Sequence, residues 1–237
     1  MRLPSLVPGL FLQRDNRFRA TVIVEGTQHH AHVPTSGRMT ELLVPGREIW
    51  LSPQDRPGRK TPYDLVLVEH EGGLVSIDSR LPNGLMAERL GQVGWQGRPL
   101  RGLTREVALG ASRIDMLLED SAGVVWLEIK SVTLVVKGLA LFPDAPTTRG
   151  TRHLEELIAV AQRGERAAAA FVAQRADARR FGPHVAADPA FATTLARAQQ
   201  AGVTLHAYAC DVSRQEIRIA RRIPVDPLLL SAPTTAR

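Results

Sequence analysis

The chain of 237 residues carries a single cysteine, Cys210, two tyrosines and three tryptophans, and only 5% of its residues are aromatic. One thiol excludes an internal disulfide and a cysteine-ligated zinc site, which together point to a reducing compartment, the cytoplasm. Cys210 lies in a strand-like run, 208–212, and reads as a buried structural thiol. No apolar run approaches the ~20 residues that span a bilayer, so no membrane-spanning helix is expected. The stretch 1–12 is apolar but is broken by Pro4 and Pro8. It offers no small-residue cleavage site ahead of the charged stretch 14–19, so it does not read as an export signal. No internal repeat is visible.

Positive charge is what the chain has in excess. Lys and Arg number 30 against 24 Asp and Glu, a net +6, with an isoelectric point near 10.3. Such a field attracts polyanions, nucleic acid or an anionic membrane, although arginines spread along a chain also make an ordinary solvated surface. A composition of 44% hydrophobic and 23% charged residues is that of a folded protein, and the length suits two modest domains, each able to bury a core.

From Phe18 to Ser79, short β-rich segments at 19–25, 29–33, 48–52, 64–70 and 74–78 alternate with turn residues. Five short strands predict a small barrel, and the OB fold is one of that size that binds nucleic acid on one face. The clearest hairpin is 64–78, turning at Glu71-Gly72-Gly73. Pro82-Asn83 opens a short helix over 84–90, and the glycine-rich run 91–102 reads as a linker to the next strand. The domains are therefore expected at 1–81, a nucleic-acid-binding barrel, and 82–237. In the second, strands at 105–109, 112–119 and 123–132 precede a helix at 151–163, a strand at 167–173, a helix at 190–201 and strands at 204–210 and 216–220. That order predicts an α/β (α+β) chain with a mixed sheet carrying helices on its faces. Leu154, Leu157, Ile158 and Ala161 form the apolar stripe of the first of these helices, with Arg152 and Glu156 outside it. The tail beyond Asp226 reads as loosely held.

Period-two alternation places Trp126, Glu128 and Lys130 on one face of their strand, with Val125, Leu127 and Ile129 on the other. The preceding strand alternates likewise, with Asp115 and Leu117 opposite in sense to Ile114, Met116 and Leu118. A turn centred between Ser121 and Ala122 sets Leu118 against Val125 and Asp115 across from Glu128. Opposed carboxylates repel unless compensated, and a divalent cation compensates them efficiently. Asp115, Glu128 and the carbonyl of Ile129 form a candidate ligand set for Mg²⁺ or Mn²⁺, with Lys130 placed to orient a water or meet developing charge. Read alone, the same pattern also fits an exposed strand face with a solvated Glu–Lys pair, because Asp followed by Glu-x-Lys is a short motif with many chance matches.

The longer text resembles the sugar fermentation stimulation protein A (SfsA) family over nearly the whole chain. The resemblance is carried by Ser112-Arg113-Ile114-Asp115, by Glu128-Ile129-Lys130-Ser131-Val132-Thr133-Leu134, and by Phe142-Pro143-Asp144-Ala145. It continues through Thr148-Arg149-Gly150 and His153-Leu154-Glu155-Glu156-Leu157, and in the first half through Arg17-Phe18, residues 34–39 and Pro82-Asn83. It implies an OB-like five-stranded β-barrel joined to a PD-(D/E)xK nuclease-like domain, in a DNA-binding protein linked to regulation of sugar catabolism. Carried over, it makes Asp115 and Glu128 metal ligands and Lys130 the catalytic-type lysine, with Glu88 or Glu106 as further acids. Glu88 also reads as a helix surface charge and Glu106 as a strand-edge residue. The loop that the family writes Pro-Asn-Thr-Gly is Pro34-Thr35-Ser36-Gly37 here, which puts in doubt any contact made by the missing amide.

Cations for phosphate contacts stand at Arg14, Arg17, Arg19, Arg38, Arg47, Arg59 and Lys60 in or beside the barrel's loops, and at Arg149, Arg152 and His153 in the first turn of the helix after the acidic strands. Between Phe18 and Ser79 the aromatic residues are Phe18, Trp50 and Tyr63, which read as core or rim, so binding through the DNA backbone with little sequence selection is expected. His29, His30 and His32 lack an acid or cysteine at ligand spacing and read as strand polarity. Three functions follow: a DNA-binding regulator, a Mg²⁺-dependent nuclease, or an anion-binding metabolic protein. A homo-oligomer is left open.

Overall fold

The computed structural model describes residues 1–55, 57–110 and 112–226. The tail beyond Asp226 lies outside these.

The first unit contains β1 (Val7–Asn16), β2 (Arg19–Val24), β3 (Thr27–His32), β4 (Glu48–Pro53), β5 (Tyr63–His70) and β6 (Gly73–Ser76). β1 pairs with β2 and with β4, β2 with β3, β4 with β5, and a short parallel ladder from β3 to β5 closes the ring. A five-strand barrel is therefore present, but its membership differs from the sequence expectation. The stretch broken by Pro4 and Pro8 supplies β1, and the strand expected at 74–78 is β6, which lies outside the ring with β5 as its strand partner. Pro8 is tolerated in β1 opposite Trp50, and Gly9 is required where two strands converge: a Cβ there would stand 2.7 Å from the Ile23 carbonyl oxygen. Phe11, Val22, Ile49, Leu51 and Leu65 fill the barrel.

The second unit starts with α1 (Leu81–Val93), three residues before the expected start because Pro82 is accommodated in the first turn. It continues through β7 (Gly102–Leu109), β8 (Ser112–Asp120), β9 (Gly123–Val132), β10 (Val135–Val136), β11 (Leu139–Phe142), α2 (Thr148–Gln162), β12 (Arg166–Ala173), β13 (Arg180–Pro183), α3 (Pro189–Gln200), β14 (Thr204–Val212) and β15 (Ile217–Ile223). The main sheet runs β15-β14-β12-β9-β8-β7, with β9, β12 and β14 mutually parallel and the rest antiparallel. This is the mixed sheet expected of the α+β domain. Alternation along β12 explains its two cores. Ala168, Ala170 and Val172 face α1 with Met116, Leu118, Leu127 and Ile129. Ala167, Ala169, Phe171 and Ala173 face α2 and α3.

Two features escaped the sequence reading. A small sheet, β10-β11-β13, holds the segment that approaches the barrel; its strands are too short for periodicity to register. The expected linker at 91–102 is also no spacer. Gln96 (φ 50°) and Gly97 (φ 79°) form a tight turn, and Trp95 and Arg98 exchange backbone hydrogen bonds of 2.8 and 2.9 Å.

Barrel and sheet meet at Gln174, which is fully buried. Its Nε2 donates to the Asp78 carbonyl (3.1 Å) and to Ser131 Oγ (2.9 Å), and its Oε1 accepts from Ser76 Oγ at 3.1 Å. Met1 and Leu3 precede the barrel in the chain yet pack against the α1 face of the sheet. No helix among the described residues is long and apolar enough to cross a membrane.

Candidate metal and nucleic-acid site

The β8–β9 hairpin has the register read from its turn: Leu118 pairs with Val125 and Met116 with Leu127. The ladder ends there. At the next step Asp115 supplies its side chain instead, Oδ2 accepting from the Ile129 backbone N–H at 2.7 Å. N–H and C=O of one strand residue point to the same side, so the Ile129 carbonyl also faces the opening that Asp115 occupies. The other carboxylate oxygen, Oδ1, accepts from Nδ2 of Asn83 at 2.8 Å. Burial, followed by the charge of Glu128, holds the Asp115 carboxyl above the usual carboxylate range.

Glu128 is 2% exposed, which removes the reading of a solvated strand face. Its Oε1 accepts from Lys130 Nζ at 2.5 Å and from His153 Nδ1. Burial pushes this carboxyl up, but Lys130 and His153 together outweigh burial and leave it below its ordinary value. Glu128 Oε2 is buried with no hydrogen-bond partner. An unpaired buried carboxylate oxygen is costly and asks for a cation. Asp115, Glu128 and the Ile129 carbonyl present hard oxygen donors of the kind Mg²⁺ or Mn²⁺ takes, with waters completing the shell. No cluster of three or more acidic, histidine or cysteine side chains suited to a metal occurs among the described residues, so any ion here would rest on two carboxylates and a carbonyl.

Neither expected further acid joins them. Glu106 stands in register with Asp115, between the pairs Arg105–Met116 and Val107–Ile114, but its side chain is 63% exposed and turns to Arg113. Glu88 bonds the Met1 amino group at 2.8 Å. The residue of α1 that reaches the site is Asn83, one and a half turns before Glu88. His153, expected to approach phosphate, is 3% exposed and bound to Glu128. Its position one turn before Leu157, on the apolar stripe, was the available signal. Arg149 Nε donates to His153 Nε2 at 3.3 Å, leaving the proton that Glu128 accepts on Nδ1.

Among the barrel cations, Arg14 is structural, donating to the carbonyls of Arg17, Thr35, Gly37 and Arg38. Arg47 binds His70 and nearby carbonyls, Arg19 pairs with Asp15, and Arg59 with Asp64. The side chains of Arg17, Arg38 and Lys60 make no ion pair among the described residues. Arg17 lines a cleft of about 310 Å³ between the 35–37 loop and residues 131–133 and 141–147. A second cleft of about 460 Å³, bordered by Arg38, shares Arg17, Ser36, Gly37, Ala145 and Pro146 with it. Ser131 in the first cleft directly follows Lys130, and the α2 cap Thr147 leads to the exposed Arg149 and Arg152. In the loop that departs from the family pattern, Thr35 Oγ1 accepts from the Gly37 N–H at 3.2 Å, the turn-forming bond that an Asn side chain also makes.

A closed barrel joined to a mixed sheet, with Asp115 and Lys130 gathered around the buried Glu128 where the β8–β9 ladder opens, defines the class of protein. The model described as "Sugar fermentation stimulation protein RE domain" matches residues 80–216, and "SfsA N-terminal OB domain" matches 12–77. The chain belongs to the sugar fermentation stimulation protein (SfsA) family. It is 45% identical over 94% of its length to a sugar fermentation stimulation protein homolog of Desulforamulus reducens, covering 93% of that protein. It is 48% identical over 90% of its length to the homolog of Moorella thermoacetica, again covering 93%. Among solved structures, it superposes with a TM-score of 0.84 on Pyrococcus furiosus SfsA in complex with Ca²⁺, at 32% identity, covering 96% of this chain and 98% of that one.

Proposed function

We propose that this protein binds DNA through its phosphate backbone, in a reducing cytoplasm, and holds a divalent cation, Mg²⁺ or Mn²⁺, at Asp115, Glu128 and the Ile129 carbonyl. The partnerless buried Oε2 of Glu128 carries the metal reading; the Ca²⁺ bound by the Pyrococcus furiosus relative supports it. The DNA reading rests on the net charge of +6 and on cations at both ends of one path. Arg17 and Arg38 border the joined clefts, and the exposed Arg149 and Arg152 lie at the start of α2. The exposed Lys60 and Arg19 and the half-buried Arg59 add to the barrel's field. Binding without cutting is the regulatory form of this reading.

A second reading, hydrolysis of a phosphodiester, is favoured by Lys130, whose Nζ sits 2.5 Å from Glu128 Oε1. When bound, the cation supplies Lewis acidity toward a phosphate oxygen and a more acidic water. Lys130 then holds positive charge beside the reacting phosphate, and the Arg149–His153 pair fixes the Glu128 carboxylate in place.

Labelled duplex DNA incubated with Mg²⁺ or Mn²⁺, beside D115N and K130A, tests both. Tight, salt-sensitive binding without cleavage supports the regulator, and cleavage lost in both variants supports the nuclease. Binding that does not weaken with salt overturns the DNA reading, and Ca²⁺ affinity unchanged in D115N overturns the metal site.

A further inference from the structure

On the α1 face of the sheet, away from the acidic site, a second polar cavity of about 270 Å³ lies between the end of α1, the 94–97 turn and β14. Its construction follows from local sequence. Gly94 has φ 67°, and a Cβ there would fall 2.0 Å from the Arg98 carbonyl oxygen, so only glycine lets the chain fold back immediately after the helix. The turn that follows lays Trp95 edge-on against His206, with ring centroids 4.7 Å apart. His206 and Tyr208 alternate onto this face and stack nearly parallel, at 7°.

The polar groups are unusual. His206 is 3% exposed, and Gln96 Nε2 donates to its Nε2 at 3.3 Å. Burial, aided by Arg222, pushes the imidazole down to about 4. The ring is therefore neutral and carries its proton on Nδ1, which is buried with no acceptor. Arg89 lies 5.3 Å over the Tyr208 ring, and Arg222 borders the same cavity. Neither has a carboxylate partner among the described residues. Two cations without a carboxylate partner among the described residues and an unpaired N–H beside aromatic walls ask for an acceptor-rich group on a flat apolar body.

We infer that this cavity is a binding site for a small organic anion with a planar apolar body, its head group held by Arg89, Arg222 and the Nδ1–H of His206 and its body by Trp95 and Tyr208. The head is a carboxylate or a phosphate monoester, which share this acceptor chemistry. Nothing in the proposed metal or DNA site takes part.

Calorimetric titration of the full chain with benzoate and with phenyl phosphate tests the site, with inorganic phosphate and benzyl alcohol as head-only and body-only controls. At least one aromatic anion is expected to bind below about 1 mM and at least about tenfold more tightly than either control. R222M, an exposed change that leaves the core intact, is expected to weaken it by about tenfold, as is R89M, while D115N leaves it unchanged. Whichever anion binds more tightly identifies the natural head group. Failure of both anions to bind below about 1 mM overturns the assignment, as do equal affinity for the controls, indifference to both arginine variants, or loss in D115N.

Discussion

His153 Nδ1 donates to Glu128 Oε1 across 25 residues of chain, joining the second turn of α2 to β9 at side-chain exposures of 3% and 2%. The bond fixes which oxygen of Glu128 stays free, because Lys130 binds the same Oε1. It leaves Oε2 without a partner, the oxygen that the proposed cation would take.

Replacing His153 with Ala removes one of the two donors to a buried carboxylate. A loss of about 2–3 kcal/mol in unfolding free energy is expected, together with weaker Ca²⁺ binding. Denaturant unfolding and calorimetric Ca²⁺ titration check both, and wild-type values in each would remove His153 from the site.

Metal affinity is expected to depend on acid through Asp115. Burial first, then Glu128, raises its carboxyl above the ordinary 3.8, so it holds its proton to a higher pH than a solvated aspartate. Cation binding needs the ionised form, so affinity falls as pH falls, from a higher pH than a surface site shows. In the cation-free protein the same shift disfavours folding above the ordinary range and bound metal relieves it. N83A removes a bond that favours the ionised form and should move the decline higher still. Ca²⁺ titrations over a pH series decide this, and a flat profile would count against it.

His206 gives a second pH signature, of opposite origin. Its folded value is about 4 against an unfolded 6.5, so between these limits the unfolded chain binds the extra proton. Stability is therefore lost as pH falls from 6.5 toward 4, by up to about 3 kcal/mol. H206F should abolish that slope while leaving other acid-dependent losses, as read by urea unfolding across the window.

Burial pushes the Cys210 thiol up to about 12, and the residue is fully enclosed between α1 and the sheet. Iodoacetamide should leave the native protein unmodified and label it stoichiometrically in denaturant, as mass spectrometry reports. Rapid native labelling would contradict the burial.

Much of the acidic hairpin was legible because its information is local. A period of two assigns faces, and a turn centred between Ser121 and Ala122 fixes the Leu118–Val125 pair without reference to the rest of the chain. The glycine run at 91–102 misled for the complementary reason. Glycines mark flexibility in a sequence, but positive φ at Gly94 and Gly97 makes a compact wall only because β14 lies beneath it. No strand was read at β1 either, since nothing in the chain announces that β2 and β4 will flank it.

By itself, the sequence determined the two-part chain, the alternation that brings Glu128 and Lys130 to one face, and the Asp115 register, all set by backbone periodicity and turn length. Only the tertiary structure decided that Glu128 is buried, that His153 points inward and that Asn83 supplies the contact from α1. It alone decided that a buried imidazole with an unpaired Nδ1 lines one cavity with Arg89 and Arg222 on the opposite side of the sheet. Those facts depend on how helices settle on sheet faces, where partners tens of residues apart, 32 between Asn83 and Asp115, meet through packing.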